Sequence, residues 1–191
     1  MKPLNHSYAI AETFTADDVI YFYCGDYGLK CKNCIYSFDM SSGLSSRFDF
    51  PPHLDFDLMD SRILQIGKTV YTFKRCSFHV GVYKLDKIGS PNFAITWLTP
   101  LKRRSHGFAI AAHARCDIYL SGGGNEERYN FHRDQVCKYS ISENRWTSMP
   151  RMNQARSWHS SMVLANHLYV MGGINVKSIE SLMIGSNAAA A

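Results

Sequence analysis

Four tyrosines, Tyr21, Tyr71, Tyr119 and Tyr169, recur along the chain at steps of 50, 48 and 50 residues. Each closes a short run: Val19-Ile20, Thr69-Val70, Asp117-Ile118 and His167-Leu168 precede them in turn. Two of the runs lead into glycine pairs, Gly122-Gly123 and Gly172-Gly173. A period near 50 residues points to a repeat architecture, in which each unit is a supersecondary element that buries its faces only against a neighbour. Within a period lie segments rich in Val, Ile, Tyr, Phe and Trp, broken by Gly, Asn, Asp, Pro or Ser, as strands and turns are. In the third unit the pattern predicts strand A over 107–113, B over 117–121, C over 135–141 and D over 145–149.

From Arg104 the chain reads Arg104, His106, Tyr119, Gly122-Gly123, Tyr139, Asn144, Trp146, Met149-Pro150, then restarts with Arg156, His159, Tyr169 and Gly172-Gly173. This order resembles the kelch repeat, most closely over 104–182 and less so over 6–50. Over 51–101 Tyr71, Tyr83 and Trp97 keep the frame, while Lys74-Arg75 stand in place of the glycine pair. In the first unit Cys24-Gly25 replace it and no Trp follows Tyr36. The resemblance implies an all-β, kelch-type β-propeller of about four blades, each of four antiparallel strands, over 6–50, 51–101, 104–149 and 156–187 of one domain, 1–191. The glycine pair is expected where strand B ends against a crowding backbone. Trp97 and Trp146 are expected against a neighbouring blade. The fourth unit is expected to be incomplete, because Ala189 falls where the outer-strand Trp should and the segment 188–191 is all alanine.

A chain with 46% hydrophobic and 13% aromatic residues can fill a β core and is not compositionally disordered. No apolar stretch approaches the ~18 residues that would span a membrane, and the first 30 residues lack a charged-then-apolar leader. Six cysteines at irregular spacing fit a reducing compartment, so a cytoplasmic location is expected. Cys31-x-x-Cys34 with Cys24 could form half of a zinc site, but no second pair stands at ligand spacing. Cys34, Cys116 and Cys137 instead fit strand packing. No Gly-rich phosphate loop, nucleophile elbow or helical His pair occurs, so no cofactor, metal or catalytic residue is assigned.

His6, His106 and His159 each open a strand A, and their recurrence argues for locking blade to blade rather than for a ring of ligands. The long connection 124–134 departs from the frame and is read as a loop bearing Arg128, Tyr129, Phe131, His132 and Arg133. Binding residues concentrate on such loops, with Arg and aromatic side chains as anchors. In an up-and-down blade, B–C loops and D–A connections share one face. Assigned to 26–33, 74–77, 124–135, 174–178, 51–60, 100–105 and 150–157, they hold 12 basic and seven acidic residues, an excess equal to the whole net charge of +5. The expected function is a non-catalytic protein-interaction scaffold whose basic face receives an acidic protein or peptide segment. Its expected contacts are Arg103, Arg128, Tyr129, Phe131, His132 and Arg133, with Arg104 and Arg156 bracing the blades. The resemblance also admits a propeller enzyme with a metal-oxidase or sugar-processing site at the channel mouth. Nucleic acid stacked on Tyr129 and Phe131 is a weaker third reading. Open terminal blades would favour self-association.

Overall fold

Runs of β-branched and aromatic residues turn each repeat into an antiparallel sheet, and the central strands of the first three sheets are buried on consecutive residues, hence on both faces. The computed structural model describes residues 10–16, 18–25, 34–49, 61–76, 78–88, 94–113, 116–125 and 128–184. The first sheet orders β1 (Ile10–Ala16), β2 (Val19–Gly25), β3 (Cys34–Asp39) and β4 (Ser45–Asp49) in sequence. The second does the same with β5 (Ser61–Ile66), β6 (Thr69–Arg75), β7 (Val80–Asp86) and β8 (Ala94–Leu101). In the third, β9 (Ala109–His113), β10 (Asp117–Ser121), β13 (Val136–Ser140) and β14 (Arg145–Met149) follow that order, and a separate hairpin joins β11 (Gly124–Asn125) to β12 (Arg128–His132). The fourth pairs β15 (Ser160–Leu164), β16 (His167–Met171) and β17 (Ile179–Met183).

The fold is all-β, and no helix occurs among the described residues. Each marker tyrosine is the third residue of its B strand, in β2, β6, β10 and β16. The third-unit strands lie where the spacing predicts them. The connection read as a loop is corrected: it is largely the β11–β12 hairpin, in which Tyr129 and Phe131 alternate with polar residues over only five positions.

Two compact units result, one spanning Met1–Lys74 and Val82–Trp97, the other Arg75–Gly81 and Leu98–Ala191. In the first unit Tyr21, Ile35, Val70, Tyr83 and Leu85 form the core. In the second, Ala111, Tyr119 and Val136 of the third sheet pack on Leu168 and Val170 of the fourth. Burial, with the Asp117 charge adding, pushes the Tyr119 phenol up to about 12.

An aromatic pair recurs where strands C and D meet. Tyr139 and Trp146 are register partners with ring centroids 5.1 Å apart, and Tyr83 meets Trp97 edge-on at 4.6 Å. In the first sheet Arg47 takes the Trp position opposite Tyr36, its guanidinium 5.8 Å from the ring centroid, so a cation–π contact replaces the ring pair. Trp146 also lies against the preceding sheet as expected, donating from Nε1 to the Thr99 carbonyl at 2.9 Å. Asn144, at φ 48°, accepts from the Thr99 N–H at 2.8 Å and from the Tyr139 hydroxyl at 2.6 Å. The Asn-x-Trp motif therefore holds both polar groups of one peptide residue on β8.

The glycine pairs end strand B where the next element crosses it. Gly122 and Gly123 have φ of 59° and 96°, and Gly172 and Gly173 have 68° and 118°. A Cβ on Gly122 would stand 2.4 Å from the Arg156 carbonyl oxygen, and the Gly123 N–H donates to that same oxygen at 2.8 Å. Gly43 shares the left-handed backbone, at φ 69°, but a Cβ there meets nothing within 4 Å. Gly43→Ala should therefore cost only the backbone strain, about 1 kcal/mol. Gly122→Ala should cost more than about 3 kcal/mol, because backbone must move as well. Denaturant midpoints of the two variants check this difference.

Candidate functional site

The β11–β12 hairpin is tied to the start of the fourth sheet. His106 and Gly124 form a two-way backbone bridge, and a second bridge links Arg133 to Arg156. The Arg133 N–H donates to the Gly123 carbonyl at 2.8 Å, and the Arg156 N–H to the Arg133 carbonyl at 2.9 Å. The His132 Nδ1 lies 2.8 Å from the Ser157 hydroxyl. These ties fix the stem of the hairpin. Phe131 stays exposed (43%), and the Arg133 guanidinium lies 5.2 Å from its ring centroid. Phe131, His132 and Arg133 are thus brought together. Arg128 and Tyr129 belong to the same β12, and their side chains lie outside the described residues.

Beside this hairpin stands a residue that sequence reading passed over. Trp158 is 45% exposed, and its ring centroid is 6.4 Å from that of His106. Its backbone is left-handed, at φ 56°, unusual for a bulky side chain. Strand register makes Trp158 the counterpart of Gly107, which has φ 59°. A glycine position thus carries an indole, and the Trp158 N–H donates to the Gly107 carbonyl. Strain kept at an exposed aromatic is the pattern of a binding site.

The same register revises the histidine frame. Counting from the paired strands, His106 corresponds to Ser157, and His159 corresponds to Phe108. His106 and His159 therefore do not share a position, although each braces. His159 is buried, with Nε2 2.8 Å from the Ser121 hydroxyl. His6 lies outside the described residues. Ser121 and Ser157, the serines held by His159 and His132, are fully buried, so neither hydroxyl is presented to a substrate.

The arginines divide differently from the expectation. Arg156 is fully buried and braces, donating to the Gly172 and Ser178 carbonyls at 2.8 Å and to Glu180 at 2.7 Å. Arg103, expected as an exposed contact, is half-buried and donates to the Gln135 side chain and the Gly122 carbonyl. Burial, with the Arg133 charge adding, pulls its guanidinium below the ordinary range. The basic face therefore presents fewer free charges than the sequence count implies. Its segments 26–33 and 51–60 lie outside the described residues.

Among the described residues no cluster of three His, Cys, Asp or Glu could hold a metal. Cys34 is buried in β3 beside Tyr36 and Phe22. Cys31 and the Cys24 side chain lie outside the described residues.

No family model matches the chain. Over 66 residues, 35% of this chain, it is 44% identical to Kelch-like protein 21 of Danio rerio. Over 65 residues it is 42% identical to that protein of Rattus norvegicus and 40% identical to that of Homo sapiens. Over that third of its length the chain is similar to kelch-repeat proteins. The match spans 10% of the length of each of these relatives. The Tyr–Trp pair, the Asn-x-Trp clamp and the glycine pair are the physical content of that kelch likeness, since each holds sheets rather than ligand.

Burial pushes the Glu180 carboxyl up, but hydrogen bonds from Arg156 and from the Asn153 and Gln154 N–H groups, with the Arg156 charge, outweigh it and hold it below its ordinary 4.5. A lowered folded value means the native state binds fewer protons, so the stabilisation is complete above 4.5 and fades as pH falls through the folded value. Glu180→Gln should cost about 1–2 kcal/mol at neutral pH. Its deficit against wild type should shrink below pH 4.5, as read by unfolding at a series of pH values.

Proposed function

We propose that the chain is a non-catalytic protein-binding module, a scaffold of kelch blades that meets its partner through the hairpin surface of the third and fourth sheets. Trp158 carries this reading. Its indole lies over Gly107, where a Cβ would stand 2.9 Å from Nε1, yet the side chain stays 45% exposed, and rigid aromatic side chains on a fixed scaffold are effective binding anchors. Phe131 and Arg133 extend the surface, and Arg128 and Tyr129 lie in the same strand. The basic excess of the loop segments favours an acidic partner segment, because complementary charge raises association rate and specificity. Similarity to Kelch-like proteins supports the module reading.

Trp158→Gly separates binding from folding. Packing lost on Gly107 and His106 is offset in part by relief of about 1 kcal/mol of backbone strain, so the variant should remain folded in an unfolding titration. A protein that copurifies with the wild-type chain, once purified, should bind Trp158→Gly or Phe131→Ala at least about tenfold more weakly in calorimetry. Unchanged affinity in both variants would remove this surface from the interface. Turnover of a small molecule by the chain would replace the binding reading with the catalytic one.

The fourth sheet supports self-association as part of the same proposal. Its outward rows, Ser160–Met171–Ile179, Met162–Tyr169–Ser181 and Leu164–His167–Met183, expose Met162, Leu164, Ile179 and Met183. In register, this face is the counterpart of the Ala111–Tyr119 face that the third sheet buries against the fourth, so a second copy is the proposed occupant. Sedimentation should show concentration-dependent association that weakens in Met162→Thr/Ile179→Thr/Met183→Thr. A wild-type monomer at every concentration would contradict it.

A further inference from the structure

Two arginines do the same work at successive sheet junctions of the second unit. Arg156 donates to the Gly172 carbonyl and to Ser178, the residue before β17. Arg103 donates to the Gly122 carbonyl and to Gln135, the residue before β13. Gly122 and Gly172 are equivalent in the strand register, and so are Gln135 and Ser178. The side chains start from different frame positions, because Arg156 corresponds to Ser105, yet both guanidinium groups reach equivalent residues, Arg156 through the Ser178 carbonyl and hydroxyl and Arg103 through the Gln135 side chain.

The junctions differ in one charge. At the Arg156 junction Glu180 supplies a carboxylate that accepts from Arg156 at 2.7 Å and from the Gln154 N–H at 3.1 Å. The register partner of Val170 is Glu180, and the partner of the equivalent Leu120 is Cys137. The Arg103 junction therefore has a thiol where the next has a carboxylate. That thiol is neutral, because burial pushes it up and the Arg103 charge offsets this only in part. Among the described residues no carboxylate lies within ion-pair distance of Arg103 or of the exposed Lys102 beside it.

Space follows the charge. A cleft of about 620 Å³ opens at the Arg103 junction, against about 170 Å³ at the junction lined in part by Glu180. Lys102, Arg103, Arg145 and Arg151 line the larger cleft with Cys137 and Trp146, and no acidic side chain does. Arg145 and Arg151 are paired with Glu143 and Asp134, so Arg103 and Lys102 are the cations left for a ligand. A half-buried cation facing only neutral acceptors is costly unless an anion compensates it.

We propose that the cleft between the end of β8 and β13–β14 binds a glutamate or aspartate side chain of an acidic peptide segment, which takes beside Arg103 the place that Glu180 takes beside Arg156. This rests on the protein-binding reading and names a second contact on the same module, apart from the Trp158 surface. The chain itself supplies the template: a carboxylate on an arginine that also holds the glycine-pair carbonyl. Lys102 adds the second cation, in place of the backbone donors of the Arg156 junction.

The probe is a fluorescein-labelled hexaglutamate peptide, with hexaglutamine as control, titrated into the full chain at low salt and followed by anisotropy. Wild type should bind hexaglutamate saturably and hexaglutamine not at all. Lys102→Ala, an exposed change that leaves the fold intact, should weaken binding about tenfold. Cys137→Glu should weaken it at least as much, because the cleft then carries its own carboxylate, and should raise the unfolding temperature. Arg103→Gln covers the case in which Cys137→Glu does not fold. Wild-type affinity in Lys102→Ala and in a folded cleft variant overturns the inference, as does displacement by inorganic phosphate at concentrations where acetate has no effect. Failure of the cleft while Trp158 variants still lose the protein partner leaves the module reading intact. Failure of the Trp158 surface with hexaglutamate still bound does the reverse.

Discussion

The crossing of strand B's end by the backbone that opens the next sheet governs the better-described half of this protein. At Gly122 the Arg156 carbonyl arrives where any Cβ would stand. At Gly173 it is the opening of its own sheet that crowds in, the Ser157 carbonyl coming within 2.9 Å of that position. Each close approach leaves a carbonyl turned toward an arginine, Gly122 toward Arg103 and Gly172 toward Arg156. The missing side chain permits the contact, and the guanidinium locks it. Buried cations at these points follow from the packing, and their neutralisation becomes a problem that each junction must solve.

The two junctions solve it differently, and this difference is where structure turns toward function. Glu180 closes one from within. The other keeps its cation, its cleft and a neutral thiol. Repeats allow such a reading because the neighbouring copy acts as an internal control for what the frame requires. Trp158 yields to the same comparison: Gly107 shows that the position demands a left-handed backbone, and the indole kept there lies over Gly107 itself while remaining part-exposed.

Much of the fold was legible in the residues. The tyrosine period located four B strands because it marks a fixed register position, the third residue of each. Tyr139, Asn144 and Trp146 announced the turn and outer strand of the third unit, since all three are needed to hold β8. Other features were hidden for physical reasons. The hairpin at 124–132 carries its strand signal, Tyr129 and Phe131 between polar residues, over only five positions, too short to stand out from a polar loop. It is held by backbone bridges to His106 and Arg156. The pairing of His106 with His159 looked like a repeat, but spacing from the arginines misled where strand register decides. Arg103 looked like a surface charge because a long side chain's destination does not show in sequence. Arg47 replaced a tryptophan by chemistry that composition does not flag.

Nitrogen-15 resonances of the arginine Nε–H groups report the state of each guanidinium directly. Titrated with acetate at neutral pH, the Arg103 signal should move saturably toward the position of a carboxylate-bound guanidinium, while the Arg156 signal, already held by Glu180, stays still. If Arg103 stays still as well, or if both move alike as exposed arginines would, then the two junctions do not differ in the charge they leave open, and the account built on that difference is wrong.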